Sequence, residues 1–597
     1  MRALIDFCDP HAQAHASACA GSAGQRWRFE QPLQVLLAWQ VQQVQPLLAQ
    51  LQQQAQQGRW CVGYMRYEAA SAFDSALQTH TADGPLACFG VFSEALPWLD
   101  ARAGPSPIND DTPLRWQPGL TRAEFDATMA HISQAIAAGE LYQVNYTAPW
   151  LGRFEGQADA LFARLLQAQP GGYSAMIDSG FEQVLSVSPE LFFDWQAPHI
   201  LTRPMKGTAP RSDDAGTDAA LAHALTESAK ERAENVMIVD LLRNDLSRIA
   251  QPHSVRVPRL FQVHSLPTVH QMVSDVTALT RPGCTLGDVF AALFPCGSIT
   301  GAPKVRAMQM IRSIEAQPRG VYCGSIGVLR PGGHATFNVA IRTVTLHQGQ
   351  ARCGIGSGIT ADAVAPAEWQ EWRYKRRFLQ RAAQPFQLLE TLRLQGGHFH
   401  LLEMHLARLQ RAAQHFGYTC DLEQVQEALR TLQGGVQARG DAPDSAWRVR
   451  IALAADGTVT LQNSELNMPQ SPVNIALAAT CFEAFESEFC HFKTTHRAHY
   501  EAFTPTDPTL FDTVLYNPRG ELTECTRGNI AVQIDGQWLT PARSCGLLAG
   551  VGRQQALQQG RLQEAVLTLS DLPRVQGWAF LNSLRGWLTA RLVPPVN

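Results

Sequence analysis

A change of character at Gln384-Pro385 constrains the folding of this chain more than any other feature. With 597 residues it is too long for one hydrophobic core, so two or more domains are expected. Helical spacing over 366–382 gives way there to a new run that starts Leu388-Leu389-Glu390-Thr391. The break predicts one domain over 1–383 and a second over 386–597, joined by a very short linker. Within the first, Thr121-x-x-Glu124 is a capping box that predicts a helix to about Ala138. Gly139–Tyr146 then alternates like a strand. Residues 218–249 read as one long Ala-rich helix, and 325–330, 335–345 and 351–360 read as strands bounded by Gly or Pro. The Gln- and Leu-rich stretch 31–57 has helical spacing from Val35 through Leu51, and 100–118 reads as a loop.

Bulk properties exclude several classes. Hydrophobic content of 45% and charged content of 17% suit a globular enzyme. A net charge of −4 leaves no footprint for nucleic acid, and no basic run suits a membrane surface. No apolar stretch reaches the roughly 18 residues of a transmembrane helix. Thirteen cysteines are scattered without a Cys-x-x-Cys pair. That pattern predicts free thiols in a reducing cytoplasm rather than a disulfide framework. The first residues carry Asp6 and Asp9 and no long apolar run, so no signal peptide is expected.

The most informative short segment is Thr202-Arg203-Pro204-Met205-Lys206-Gly207-Thr208. Pro and Gly impose a special backbone path, which suits a lysine aimed at a ligand better than one on a regular helix face. Glu231-x-x-Glu234 and Glu368-x-x-Glu371 each place two carboxylates on one helix face. One such pair is common on solvated faces. Two pairs more than a hundred residues apart, flanked by further motifs, are more specific. Those motifs are Ser188-Pro189-Glu190, Gly297-Ser298-Ile299-Thr300-Gly301-Ala302-Pro303-Lys304 and Gly354-Ile355-Gly356-Ser357-Gly358. The last lacks the spacing and βαβ context of a dinucleotide fingerprint.

In order and content this set resembles the chorismate-utilising enzymes, which include anthranilate, aminodeoxychorismate, salicylate and isochorismate synthases. The resemblance implies antiparallel sheets with flanking helices. It implies chorismate as substrate and magnesium as cofactor, with Glu234 and Glu371 as direct ligands and Glu231 and Glu368 holding the metal's waters. A cation is needed because bare glutamates would repel a dianionic substrate. Arg342 and Tyr322 match residues that hold the enolpyruvyl carboxylate. Gly356, Ser357 and Gly358 offer close backbone approach, and Thr300 contacts substrate or caps a helix. Anthranilate synthases typically carry Ala where Lys206 stands, whereas aminodeoxychorismate synthases carry a nucleophilic Lys. The resemblance therefore points to attack of Lys206 on ring C2, with Glu190 as general acid, and then displacement by ammonia to give 4-amino-4-deoxychorismate. His270 stands one place before the family's usual histidine, with Gln271 at the expected site, so a structural histidine is the better reading. Gly63-Tyr64-x-x-Tyr67-Glu68-Ala69-Ala70 resembles the family's N-terminal lobe, which in relatives helps form an amino-acid regulatory site. No glutaminase Cys elbow is readable, so ammonia is expected from solution or a separate glutaminase subunit.

The second half carries Lys493-Thr494-Thr495-His496-Arg497-x-x-Tyr500, then Glu524-x-Thr526-x-x-Asn529, then Gly550-Val551-Gly552-Arg553. This order resembles the fold-type IV pyridoxal-phosphate enzymes, among them branched-chain and D-amino-acid aminotransferases and aminodeoxychorismate lyase. The resemblance implies that Lys493 attaches pyridoxal 5′-phosphate and shuttles the proton. Glu524 faces the pyridine nitrogen, and Arg408 with the Val551 and Gly552 amides holds the phosphate, near Asn529. His398, His400 and His405 sit at a strand edge turning into a helix and read as ordinary histidines rather than a zinc site. Fusion to a chorismate-type half favours a lyase that expels pyruvate to leave 4-aminobenzoate, a folate precursor. The alternative is an anthranilate-type half fused to an aminotransferase-like half, and a further one is a dimerisation module without catalysis. Fold-type IV relatives are usually homodimers, so a dimer through 386–597 is expected.

Overall fold

Strands Ala87–Phe92, Ser325–Leu329 and Ala335–Val339 are buried at every position. Strands of this kind need cover on both faces, which two stacked sheets with outer helices supply. A computed structural model describes residues 1–12, 25–98, 112–212, 215–265, 269–437 and 445–594. Most of the expected loop 100–118 lies outside them. The chain forms two compact units, Met1–Pro385 and Phe386–Asn597.

The first unit holds two ten-stranded sheets in which every pairing is antiparallel. One runs through Gln143–Arg153, Gln350–Ile359, Thr343–His347, Gln183–Ser188, Tyr173–Asp178 and Arg2–Phe7. The other runs through Met205–Pro210, Val269–Leu279, His199–Arg203, Leu191–Gln196, Ala335–Val339, Ser325–Leu329, Trp60–Met65 and Ala87–Phe92. A core that includes Ile5, Phe7, Phe29, Val62, Tyr64, Ile326 and Val328 draws on both sheets. Helices Val41–Gln56, Ala229–Ser247 and Leu286–Leu293 cover the outer face of the second sheet. Helices Arg122–Ala137, Ala158–Ala168 and Lys304–Ile314 cover the first. The Thr121 box forms as expected, with its hydroxyl accepting from the Glu124 amide at 3.3 Å.

Several segments differ from their sequence pattern. The helix expected from Val35 begins only at Val41, and Gln34–Ala38 is an edge strand instead. There Leu36 and Ala38 point inward while Val35 and Leu37 stay exposed, a period of two. The long helix over 218–249 is two, Ala215–Glu227 and Ala229–Ser247, because Ser228 caps the second by accepting from the Glu231 amide. The expected strand 335–345 is broken by Arg342, whose φ is +49°. Residues 366–382 likewise form two helices that meet at Arg376.

The second unit has a four-stranded antiparallel sheet centred on Leu388–Gln395 and Ala446–Leu453, backed by helices Leu402–Phe416 and Leu422–Gln437. It also has an eight-stranded mixed sheet that carries Leu522–Cys525 and Asn529–Ile534. The Lys493 segment is tied to the small sheet, with the Leu389 amide donating to the Lys493 carbonyl at 2.9 Å. All cysteines among the described residues are free. None of the described helices is long and apolar enough to cross a membrane.

Candidate active sites

In the first unit a cavity of about 450 Å³ gathers residues from segments scattered between Asn145 and Arg381. Lys206 reaches it from Met205–Pro210, a strand whose register slips between Met205 and Thr208. Gly207 there takes φ +90°, a conformation that disfavours a β-carbon. The Lys206 ammonium rests against the bare backbone of Gly358, its Nζ 2.7 Å from where a β-carbon would stand.

Glu190 lies on the same wall and is 3% exposed. Its Oε1 accepts from the Ser298 hydroxyl at 2.7 Å. Burial pushes its carboxyl up to about 7, against the pull of Ser298 and the Lys206 charge. A carboxylic acid protonated near neutrality can donate to a leaving group. Tyr322 and Arg342 also line the cavity. Arg342 donates to Gln169 and lies over the Phe378 ring, 5.6 Å from its centroid. Burial pulls its guanidinium down to about 10, and no carboxylate pairs with it among the described residues. A desolvated guanidinium of this kind is a receptor for an anion.

All four predicted glutamates line the same cavity. Burial and the charges of Glu234 and Glu371 raise Glu231, and burial and Glu371 raise Glu368. Burial also pushes Glu371 up, but Lys375 at 2.7 Å outweighs it and the net direction is down. Lys230 lies 4.0 Å from Glu234. Crowded hard oxygen donors suit magnesium, since a dication relieves their mutual repulsion. The lysines neutralise two of them here, and no three carboxylates converge to metal distance among the described residues.

Two predicted residues stand behind the cavity wall. The Thr300 hydroxyl is spent on the Cys296 carbonyl at 3.1 Å. The Ser357 hydroxyl donates to Glu368 at 2.6 Å and accepts from Trp372, so it orients a carboxylate, while Gly356 and Gly358 do line the cavity. His270 is 2% exposed and spans Ser265 and Asp218, as a structural histidine would. Ser298, Gln169, Lys230 and Asn145 went unrecognised as cavity residues. For Ser298 the signal was its place in the Gly-Ser-Ile-Thr-Gly run.

In the second unit the Lys493 ammonium donates to Thr391 Oγ1 at 2.9 Å. Burial and the Arg408 charge bring it down to about 7, with Glu390 opposing. Glu524 is 3% exposed and accepts from the Tyr500 hydroxyl at 2.7 Å and the Leu548 amide at 3.1 Å. Burial raises its carboxyl to about 8. A buried acid with neutral partners has room for a cation, which a protonated pyridine would be. Asn529 donates to the Leu548 carbonyl at 2.8 Å and sits beside Gly550, which opens helix Val551–Gln558. No side chain caps that helix, so its first amides, Val551 and Gly552 among them, stay available to a phosphate. The Arg408 fork is bound to both Glu390 oxygens at 2.7 Å. His405 is fully buried and donates to Glu390 Oε2, 2.6 Å away, whereas His398 is exposed. These residues fit pyridoxal phosphate in donor chemistry. Thr391, Tyr500 and Glu390 were not singled out from sequence.

The chorismate binding enzyme model matches residues 11–381, more than half of the chain. The chain belongs to the chorismate binding enzyme family. The class IV amino-transferase model matches residues 387–593. The chorismate binding half is 43% identical over 278 residues to aminodeoxychorismate synthase component 1 of Salmonella typhimurium. That match covers 46% of this chain and 60% of the relative, so the chain spans less than two thirds of that protein's length. It is 30% identical over 367 residues to anthranilate synthase component 1 of Methanothermobacter thermautotrophicus, covering 58% of this chain and 77% of the relative. Among solved structures, anthranilate synthase component I of Streptococcus pneumoniae shares the fold of this chorismate binding enzyme. It has a TM-score of 0.50 and 24% identity, and the match covers 64% of this chain and 90% of that one.

Proposed function

We propose that this chain makes 4-aminobenzoate from chorismate in two steps. The first unit aminates chorismate to 4-amino-4-deoxychorismate, and the second eliminates pyruvate from it. The observation that carries the reading is Lys206 seated over Gly358 in the cavity that also holds Glu190.

In the first step Arg342, beside Tyr322, takes the enolpyruvyl carboxylate. Magnesium, held by Glu234 and Glu371 directly and by Glu231 and Glu368 through waters, would draw electron density from the ring through the other carboxylate. The Lys206 amine attacks ring C2. Both ring double bonds shift, C1=C2 to C1=C6 and C5=C6 to C4=C5, and the C4 hydroxyl departs as water with the Glu190 proton. Ammonia then attacks C4, both double bonds shift back, and the Lys206 bond to C2 breaks. Lys206 carries the argument against an anthranilate-type reaction. The word "component" in the relatives' names supports an ammonia-supplying glutaminase as a separate subunit.

In the second step bound pyridoxal phosphate would supply an electron sink for loss of the C4 proton. Lys493, with an amine that is partly free near neutral pH, takes that proton. The electrons of the C4–H bond form the ring double bond to C3, the C3–O bond breaks, and enolpyruvate leaves to become pyruvate. Glu524 would keep the pyridine nitrogen charged, and Arg408 with the Val551 and Gly552 amides would hold the phosphate. A lyase in this position consumes the first unit's product, which an amino-acid aminotransferase would not.

The test is chorismate with ammonium and magnesium, with products identified by mass. 4-Aminobenzoate and pyruvate in equal amounts are expected. Anthranilate as the only aromatic product would reject the reading.

A further inference from the structure

We infer that Gln143 is a positioning residue for Lys206, an inference that rests on the amination reading above. Gln143 opens the strand Gln143–Arg153, is fully buried, and does not line the cavity. Neither end of its amide, Oε1 or Nε2, has a hydrogen-bond partner among the described residues. A buried primary amide left wholly unpaired is uncommon, because its desolvation is uncompensated. Such a group is retained where it has a partner to serve during function.

That partner is next to it. A β-carbon at Gly358 would lie 2.4 Å from Gln143 Nε2 and 2.7 Å from Lys206 Nζ. Both polar groups therefore approach the same bare glycine, and a short side-chain movement would bring them together. The amide can turn by half a revolution and exchange its oxygen for its nitrogen, since no other bond fixes its orientation. With Oε1 toward Lys206, it accepts one N–H of the amine and aims the nitrogen lone pair into the cavity. Asn145, two residues along and on the same strand face, does line the cavity, so the strand presents one amide to the ligand space and one to the lysine. Gln143 thus acts through Lys206 and does not touch substrate.

Two variants of the full chain test this. Gln143→Leu keeps the bulk and removes the acceptor. It should lower kcat for amination by about 100-fold, the cost of a misaimed nucleophile, and leave the chorismate KM within about threefold. Gln143→Glu places a carboxylate beside Lys206 and should hold it as the ammonium. Labelling of Lys206 by methyl acetimidate, followed by peptide mass, should then slow by about tenfold or more, in line with a neighbouring opposite charge. Wild-type kcat in Gln143→Leu, or wild-type labelling in Gln143→Glu, overturns the inference. If Gln143→Leu does not fold, the labelling result decides. Slowed labelling in a chain that aminates no chorismate would sink the proposed function and leave the contact standing.

Discussion

Lys206 and Gly358 come from different sheets and meet in one cavity, the lysine Nζ lying 2.7 Å from the position a β-carbon on residue 358 would take. Gly358→Ala must therefore displace the Lys206 ammonium and the Gln143 amide, or the strand itself. We expect a loss in amination of about 100-fold, as for other sub-ångström to ångström misplacements of reacting groups. Lys206→Ala should still bind chorismate, measured by equilibrium dialysis, and lose about 10³-fold or more in product formation. Wild-type turnover by Lys206→Ala would remove it as nucleophile.

Glu190 gives the first step its expected pH profile. Its carboxyl is raised to about 7 by burial, so the acid form falls away as pH climbs through that value. The kcat/KM of amination should decline on the alkaline side with a midpoint near 7. Glu190→Gln should flatten that limb and cost roughly 10²–10⁴-fold. An unchanged alkaline limb in the variant would assign it to another group.

Magnesium should matter to one activity alone. Chelation should stop amination and spare pyruvate release from supplied 4-amino-4-deoxychorismate. Glu371→Gln should weaken magnesium binding, read by calorimetry, by about tenfold or more through loss of a charged ligand. Equal loss of both activities on chelation would contradict a metal confined to the first unit.

Lys493 reacts with an aldehyde cofactor only as the free amine. Its ammonium titrates near 7, pulled down by burial and Arg408. Cofactor uptake by the stripped protein should accelerate as pH rises through 7 and level off above it. Lys493→Ala should lose the visible absorbance band and the elimination activity while leaving amination intact. Loss of amination as well would tie the two reactions together.

Association is expected through the class IV unit, where relatives of this type form two-fold dimers. Light scattering of the full chain should give twice the mass of one chain, and residues 1–383 alone should give a monomer. A fully active monomer would reject this.

Much of this protein was readable along the chain because the deciding interactions are local. The Thr121 capping box and the spacing of Glu231 with Glu234 and of Glu368 with Glu371 all span a few residues. The motif order carried the family in the same way. Tertiary structure decided what depends on distant partners. Gln34–Ala38 became a strand because Ala87–Phe92 offered it an edge, which local periodicity does not record. Glu190 gained its raised carboxyl from burial and a bond to Ser298, 108 residues away. Gln143 sits beside Lys206 only because two sheets stack and leave a glycine where they meet. Residue type and spacing can name a lysine and a glutamate, but desolvation and close approach exist only once the chain has folded around them.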